Sequence, residues 1–201
     1  MGLFNRNQPA NAQFSQRQVL ESNVKNARHN LLLVLIFTVI NILLLVSNAN
    51  TYFLFSAYIP YGLVDYGMFF GGMYPSEVYG EYISEILFLG TDFFATMIAI
   101  AAVVFLLYVL CWIFAKKNPK PWLIVALVLF SIDTAVLLLW LEISADLILD
   151  YVFHGWVIVS LAKGLSALKK LKNLPEEVVE PAAIVDIAPA EEAQEMLSVE
   201  E

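Results

Sequence analysis

Four long apolar stretches constrain this chain more than any other feature of its sequence. They cover residues 31–47, 93–115, 122–141 and 147–165. A helix needs about 20 mostly apolar residues to cross a bilayer, and the runs are continuous rather than alternating, which argues against the strands of a membrane barrel. Because 60% of all residues are hydrophobic, against about 45–50% in a typical soluble chain, we predict an all-α membrane protein with a four-transmembrane-helix bundle.

Lysine and arginine fall in only three places along the chain. They lie before the first span, in the loop 116–120 and after the fourth span, and none lies between Arg28 and Lys116 or between Lys120 and Lys163. With four spans, these three places share one side of the membrane. Cytoplasmic loops carry the excess of positive charge, so we predict that both termini are cytoplasmic. Size and composition favour a multi-pass protein of a bacterial plasma membrane.

The same pattern divides the chain into three parts. Residues 1–30 form a cytoplasmic arm and a helix that leads into the first span, and residues 31–165 form the transmembrane domain. Residues 166–201 contain a basic stretch and an acidic tail predicted to be disordered. The net charge of −8 belongs to this tail, since residues 175–201 contain acids but no Lys or Arg. No basic surface interleaved with aromatics is present, which excludes a nucleic-acid partner.

The segment 48–91 is predicted to be extracytoplasmic, and it contains no base. Its aromatic density suits the membrane interface, where a ring can be half hydrated. The aromatic residues are Tyr52, Phe53, Phe55, Tyr58, Tyr61, Tyr66, Phe69, Phe70, Tyr74, Tyr79, Tyr82 and Phe88. Two interpretations follow: a lid that rests on the outer leaflet and seals the bundle, or a docking surface for a partner or ligand.

Local patterns subdivide this segment. Five residues are expected to interrupt regular structure in its first half: Gly62, Gly67, Gly71, Gly72 and Pro75. In its second half, residues 76–89 are predicted to form one amphipathic helix, with an extracytoplasmic acidic face. That face consists of Glu77, Glu81 and Glu85, which recur every four residues.

Three polar residues lie inside the apolar stretches at similar depth: Asn41, Asp133 and His154. Their distances from the span ends place them within roughly 3–5 Å of one another in depth, at 1.5 Å per helical residue. Spans three and four are antiparallel neighbours, so we predict an Asp133–His154 hydrogen bond, with Asn41 completing the cluster. The cluster either holds helices together or binds a proton or cation.

A second polar pattern continues from this cluster. The residues Glu142, Asp146, Asp150 and His154 are spaced by four and would form a stripe running outward if helix continues through Asp146. They could gather cations at an acidic mouth. A zinc site needs three or four converging ligands, and the sequence leaves the metal question open. In the alternative, Asp146 simply caps the fourth span.

No nucleophile elbow, phosphate-binding loop or dinucleotide motif occurs, so no catalytic residue and no cofactor is predicted. We therefore expect a non-enzymatic accessory, scaffold or regulatory subunit, embedded in the lipid bilayer, that binds a membrane-protein partner through the external segment or the tail. A proton- or cation-linked transport protein using Asp133 and His154, assembled as a homo-oligomer, is the first alternative. A metal-dependent intramembrane enzyme is the second.

Overall fold

The computed structural model describes residues 10–49, 51–140 and 148–175 of the chain. All regular secondary structure in these ranges is helical. The helices are α1 (Ala10–Val46), α2 (Tyr58–Gly71), α3 (Ser76–Tyr79), α4 (Gly90–Phe114), α5 (Pro119–Trp140) and α6 (Ile148–Lys172), and a 3₁₀ turn at Gly80–Ser84 follows α3.

The four predicted spans are confirmed as helices long and apolar enough to cross a membrane: α1, α4, α5 and α6. The helix expected before the first span runs into it without a break, so α1 has 37 residues. Outward faces of these helices carry large apolar side chains, among them Leu43, Val103 and Leu139. Lipid can cover such faces, whereas water would penalise them by about 25 cal/mol per Å² of apolar surface.

The spanning helices pack as antiparallel neighbours around a core that contains Leu31, Leu123 and Leu161. α1 and α6 come closest near Gly164, where an added Cβ would lie 2.7 Å from Ala27 Cβ. One turn further along α1, Asn30 Nδ2 donates a hydrogen bond to Ser160 Oγ.

At the same end of the bundle, the ring of Phe114 in α4 stacks on Trp122 in α5, with centroids 4.9 Å apart. The bases next to these contacts in the sequence are Arg28, Lys116, Lys117, Lys120 and Lys163. We therefore call this end of the bundle the basic end.

The helix α2 is the main difference from the sequence prediction. Gly62, Gly67 and Gly71 do not interrupt structure; they lie inside α2 and are buried. Gly72 ends α2 at φ 73°, and Pro75 precedes α3, so both break the helical structure as predicted. An added Cβ on Gly67 would lie 2.8 Å from Met97 Cβ, and one on Gly71 would lie 3.0 Å from Phe94 Cβ. Gly67 and Gly71 therefore let the α2 backbone pack closely against α4, as small residues spaced by four do in membrane helices.

The single amphipathic helix predicted over residues 76–89 is wrong. α3 ends at Tyr79, and Gly80 takes φ 59° and ψ −141°, outside the helical region. The 3₁₀ turn ends at Ser84, and residues 86–89 are not helical. A glycine in this conformation stops the α-helical hydrogen-bond series, so Glu77, Glu81 and Glu85 do not form one helical stripe. All three are exposed.

Candidate functional site

The loop 51–57 enters the bundle at the end opposite the basic end and is fixed there by Asn41 of α1. Asn41 Nδ2 donates to the Phe53 carbonyl over 2.6 Å, and the Phe53 N–H donates to Asn41 Oδ1 over 2.8 Å. Asn41 is buried. Irregular backbone is tolerated at membrane depth only where protein groups satisfy its N–H and C=O groups, and the Asn41 amide satisfies one of each.

The backbone N–H groups at the start of α2 also donate to side chains of other helices. A helix leaves the N–H groups of its first four positions without partners in its own backbone. Here the Ala57 N–H donates to Thr38 Oγ1, and those of Tyr58 and Ile59 donate to Asp133 Oδ2 and Oδ1, all over 2.8 Å. The fourth position is Pro60, which has no N–H to satisfy. Each orphan donor of α2 is therefore accounted for.

Asp133 acts as a helix cap supplied from another helix. Ala57, at the N-cap position of α2, makes no side-chain capping bond, and the Asp133 carboxylate of α5 takes that role. Asp133 lies 14 residues after Pro119, about 20 Å along α5, so α2 begins deep between the spans. The positive end of the α2 dipole faces this carboxylate. We call residues 51–71 the re-entrant segment, because they enter the bundle between the spanning helices.

His154 of α6 lies against Asp133. Its Nε2 is 3.4 Å from Asp133 Oδ2, and its Nδ1 is 2.9 Å from the Asp150 carbonyl. Since a carbonyl only accepts, Nδ1 carries a hydrogen. A neutral imidazole would then present a lone pair to the carboxylate, so a hydrogen bond between Nε2 and Oδ2 requires one shared proton. The Phe130 ring stacks on the imidazole at 5.0 Å and shields the pair.

Asp150, one turn before His154, extends the buried polar cluster toward the loop. It is buried, and its Oδ1 has no hydrogen-bond partner among the described residues. The Tyr52 hydroxyl of the loop lies near the Asp150 carboxyl, and it forms a hydrogen bond of 2.7 Å with Ser56 Oγ. The Tyr52 residue is 37% exposed, but its hydroxyl faces inward to the fully buried Ser56. Burial raises the pKa of Tyr52, so its phenol stays protonated.

The structure thus brings together part of the cluster predicted from sequence. Asp133 and His154 meet, and Asp150 joins them through His154 and Tyr52. Asn41 instead binds the Phe53 backbone and reaches the site only through the loop. Glu142 and Asp146 lie outside the described residues. Within those residues, no three His, Cys, Asp or Glu side chains converge as metal ligands.

Sequence reasoning missed Thr38, Tyr52 and Ser56. Thr38 and Ser56 are fully buried, and Thr38 also donates from its hydroxyl to the Val34 carbonyl over 2.7 Å. A threonine one turn before Asn41 on the same helix face is a readable signal. Tyr52 and Ser56 carry none, because only the fold of the loop turns them inward.

The comparisons with known proteins add no family to this geometry. No protein-family model matches the chain, and no curated protein or solved structure matches it either.

Proposed function

We propose that this protein is a non-enzymatic accessory or scaffold subunit of another membrane component, and that residues 76–89 are its docking surface. The observation that supports this most is the exposure of apolar side chains on that segment. Leu87 is 76% exposed, and several neighbours are exposed too. They are Val78, Ile83, Phe88 and Leu89.

Charge on the docking surface adds to this argument. Glu77, Glu81 and Glu85 are exposed on the same segment. In the described part of the chain, ion pairs join Arg17 to Glu21 and His154 to Asp133, so no described base neutralises the three glutamates. Apolar side chains beside unpaired acids fit a partner surface with an apolar centre and a basic rim.

The re-entrant segment makes a pure sealing role for residues 76–89 unnecessary. α2 already fills this end of the bundle, where Val64 and Met68 pack with Ala101. The polar groups that a reaction would need are engaged in fixing α2, since Asp133 accepts from two backbone N–H groups. The geometry therefore favours a structural bundle with an exposed docking surface over a catalytic site.

The proposal includes a topology. Ala27 contacts Gly164, and Phe114 contacts Trp122. Arg28, the lysines of the loop 116–120 and Lys163 therefore lie together at the basic end. The positive-inside bias supports a cytoplasmic location for that end. Both termini would then be cytoplasmic, the docking surface would face outward, and a plasma membrane would be the setting.

The alternative of proton- or cation-linked transport is supported by the buried contact of His154 with Asp133. It is the weaker candidate because Asp133 is occupied as the cap of α2. Proton uptake into liposomes that contain the protein, lost in His154→Gln, would favour transport over the accessory role. An intramembrane metal enzyme gains no support from the described residues, where no ligand set converges.

Site-specific photo-crosslinking in the native membrane tests the accessory role. A benzoyl-phenylalanine at position 87 should give a discrete crosslinked protein, and the matched control is position 139, where Leu139 is 86% exposed on the apolar belt. Replacing Glu77, Glu81 and Glu85 by Gln should remove the product. Crosslinks only to lipid at position 87, or the same products at both positions, would contradict the proposal.

A further inference from the structure

The buried cluster formed by Asp133, Asp150 and His154 has an unbalanced charge, and this charge does not depend on the accessory role. With both carboxylates ionised and the imidazole neutral, the cluster would have a charge of 2−. The proton between His154 Nε2 and Asp133 Oδ2 reduces this to 1−. All three side chains are buried.

Among the described residues, no Lys or Arg forms an ion pair with this cluster. The sequence has no Lys or Arg between Arg28 and Lys116 or between Lys120 and Lys163. Lys163 is nine residues from His154 on the same helix, about 13 Å along its axis, and it is exposed. An unpaired ion removed from water costs several kcal/mol even after the protein relaxes. The cluster therefore needs one more positive charge from outside the chain.

We propose that this cluster is a proton-binding site that takes up a second proton, on the Asp150 carboxyl, in the resting protein. Asp133 is not the place for it, since its two oxygens accept the Tyr58 and Ile59 N–H groups and face the α2 dipole. Asp150 is the carboxyl with an unpartnered buried oxygen, Oδ1. Its position in the first turn of α6 favours the anion only weakly, less than burial disfavours it.

The surroundings of Asp150 favour a proton over a metal ion. Calcium takes six to eight oxygen ligands, and zinc about four ligands. Among the described residues, the titratable groups facing the cluster are the Tyr52 hydroxyl from the loop, Tyr61 of α2 against the Tyr52 ring, and Tyr108 of α4 behind Phe130. None of these is a cation or a second free carboxylate, and a proton needs only the single Asp150 oxygen.

Infrared spectroscopy of the full chain in phosphatidylcholine vesicles tests the assignment, because a protonated carboxyl group absorbs at a different frequency from a carboxylate. At pH 7 the wild type should show one such band, and Asp150→Asn should remove it. Asp92→Asn changes an exposed acid of α4 and should leave the band in place. Absence of the band in the wild type, or its survival in Asp150→Asn, would overturn the proposal.

Two further measurements keep the test decisive if Asp150→Asn does not fold. Tyr52→Phe removes the hydroxyl that lies near Asp150, so the band should persist at a shifted frequency. An unchanged band would overturn the assignment to Asp150. Replacing choline by sodium at constant ionic strength and pH should have no effect, and loss of the band in sodium would assign the site to a small cation instead.

Discussion

Asp133→Asn is the substitution that most directly tests how the re-entrant segment is fixed. The carboxylate accepts the N–H groups of Tyr58 and Ile59 through different oxygens, each over 2.8 Å. An amide has one oxygen, so its NH₂ group would face one of these backbone donors, and the negative charge at the start of α2 would be lost. The side-chain volume hardly changes, which separates hydrogen bonding from packing.

The expected loss follows from these contacts. A hydrogen bond to a charged group contributes about 1.5–3 kcal/mol, and a buried donor left unsatisfied costs about 1–3 kcal/mol. These two figures overlap for the same bond, and the α2 dipole adds less than about 2 kcal/mol. We expect the free energy of unfolding to fall by about 2–4 kcal/mol.

Detergent-induced unfolding followed by circular dichroism measures this loss. Amide hydrogen exchange should at the same time speed up at Tyr58 and Ile59 but not in the middle of α4. Asp92→Asn, in the exposed first turn of α4, is the control and should change stability by less than about 0.5 kcal/mol. Wild-type stability together with unchanged exchange at Tyr58 and Ile59 would refute the capping role of Asp133.

Three other predictions follow from the described geometry. Gly164→Ala should lower the free energy of unfolding by about 1–3 kcal/mol, because its Cβ would meet Ala27. The control is Gly155→Ala on the same helix, whose Cβ would have no atom within 4 Å and which should raise the free energy of unfolding by about 0.5–1 kcal/mol. Equal effects of the two substitutions would argue against the close contact of α1 and α6. Burial and the hydrogen bond to Asp65 raise the pKa of Tyr74. The contribution of Tyr74 to stability is therefore present below the ordinary tyrosine pKa of about 10 and is lost as pH rises toward the raised value. In unfolding curves measured over a series of pH values, Tyr74→Phe should flatten this alkaline decline in stability, and an unaltered decline would exclude Tyr74 as the cause. Cys111 is fully buried and should not react with a membrane-impermeant maleimide, so labelling reports only on introduced cysteines. Leu87→Cys should be labelled from outside the cell, and Lys117→Cys only after the cell is opened. The reverse pattern would invert the proposed topology.

The deep position of α2 explains why sequence reasoning described this region only in part. Hydropathy finds segments long enough to cross a bilayer, and α2 has only 14 residues. Its glycines are typical of turns, yet here their missing side chains make room for Met97 and Phe94. The spacing Gly67-x-x-x-Gly71 was the available signal, since it occurs where membrane helices approach closely.

The sequence by itself determined the four spanning helices, because a bilayer accepts only long apolar segments whose backbone groups bond internally. It also placed Asp133 and His154 at one depth, since a short connection makes consecutive helices antiparallel. Tertiary structure alone decided that Asp133 caps a helix starting 75 residues earlier in the chain and that Asn41 holds Phe53. Those bonds join residues far apart in sequence, and no local pattern encodes which buried donor a carboxylate will meet.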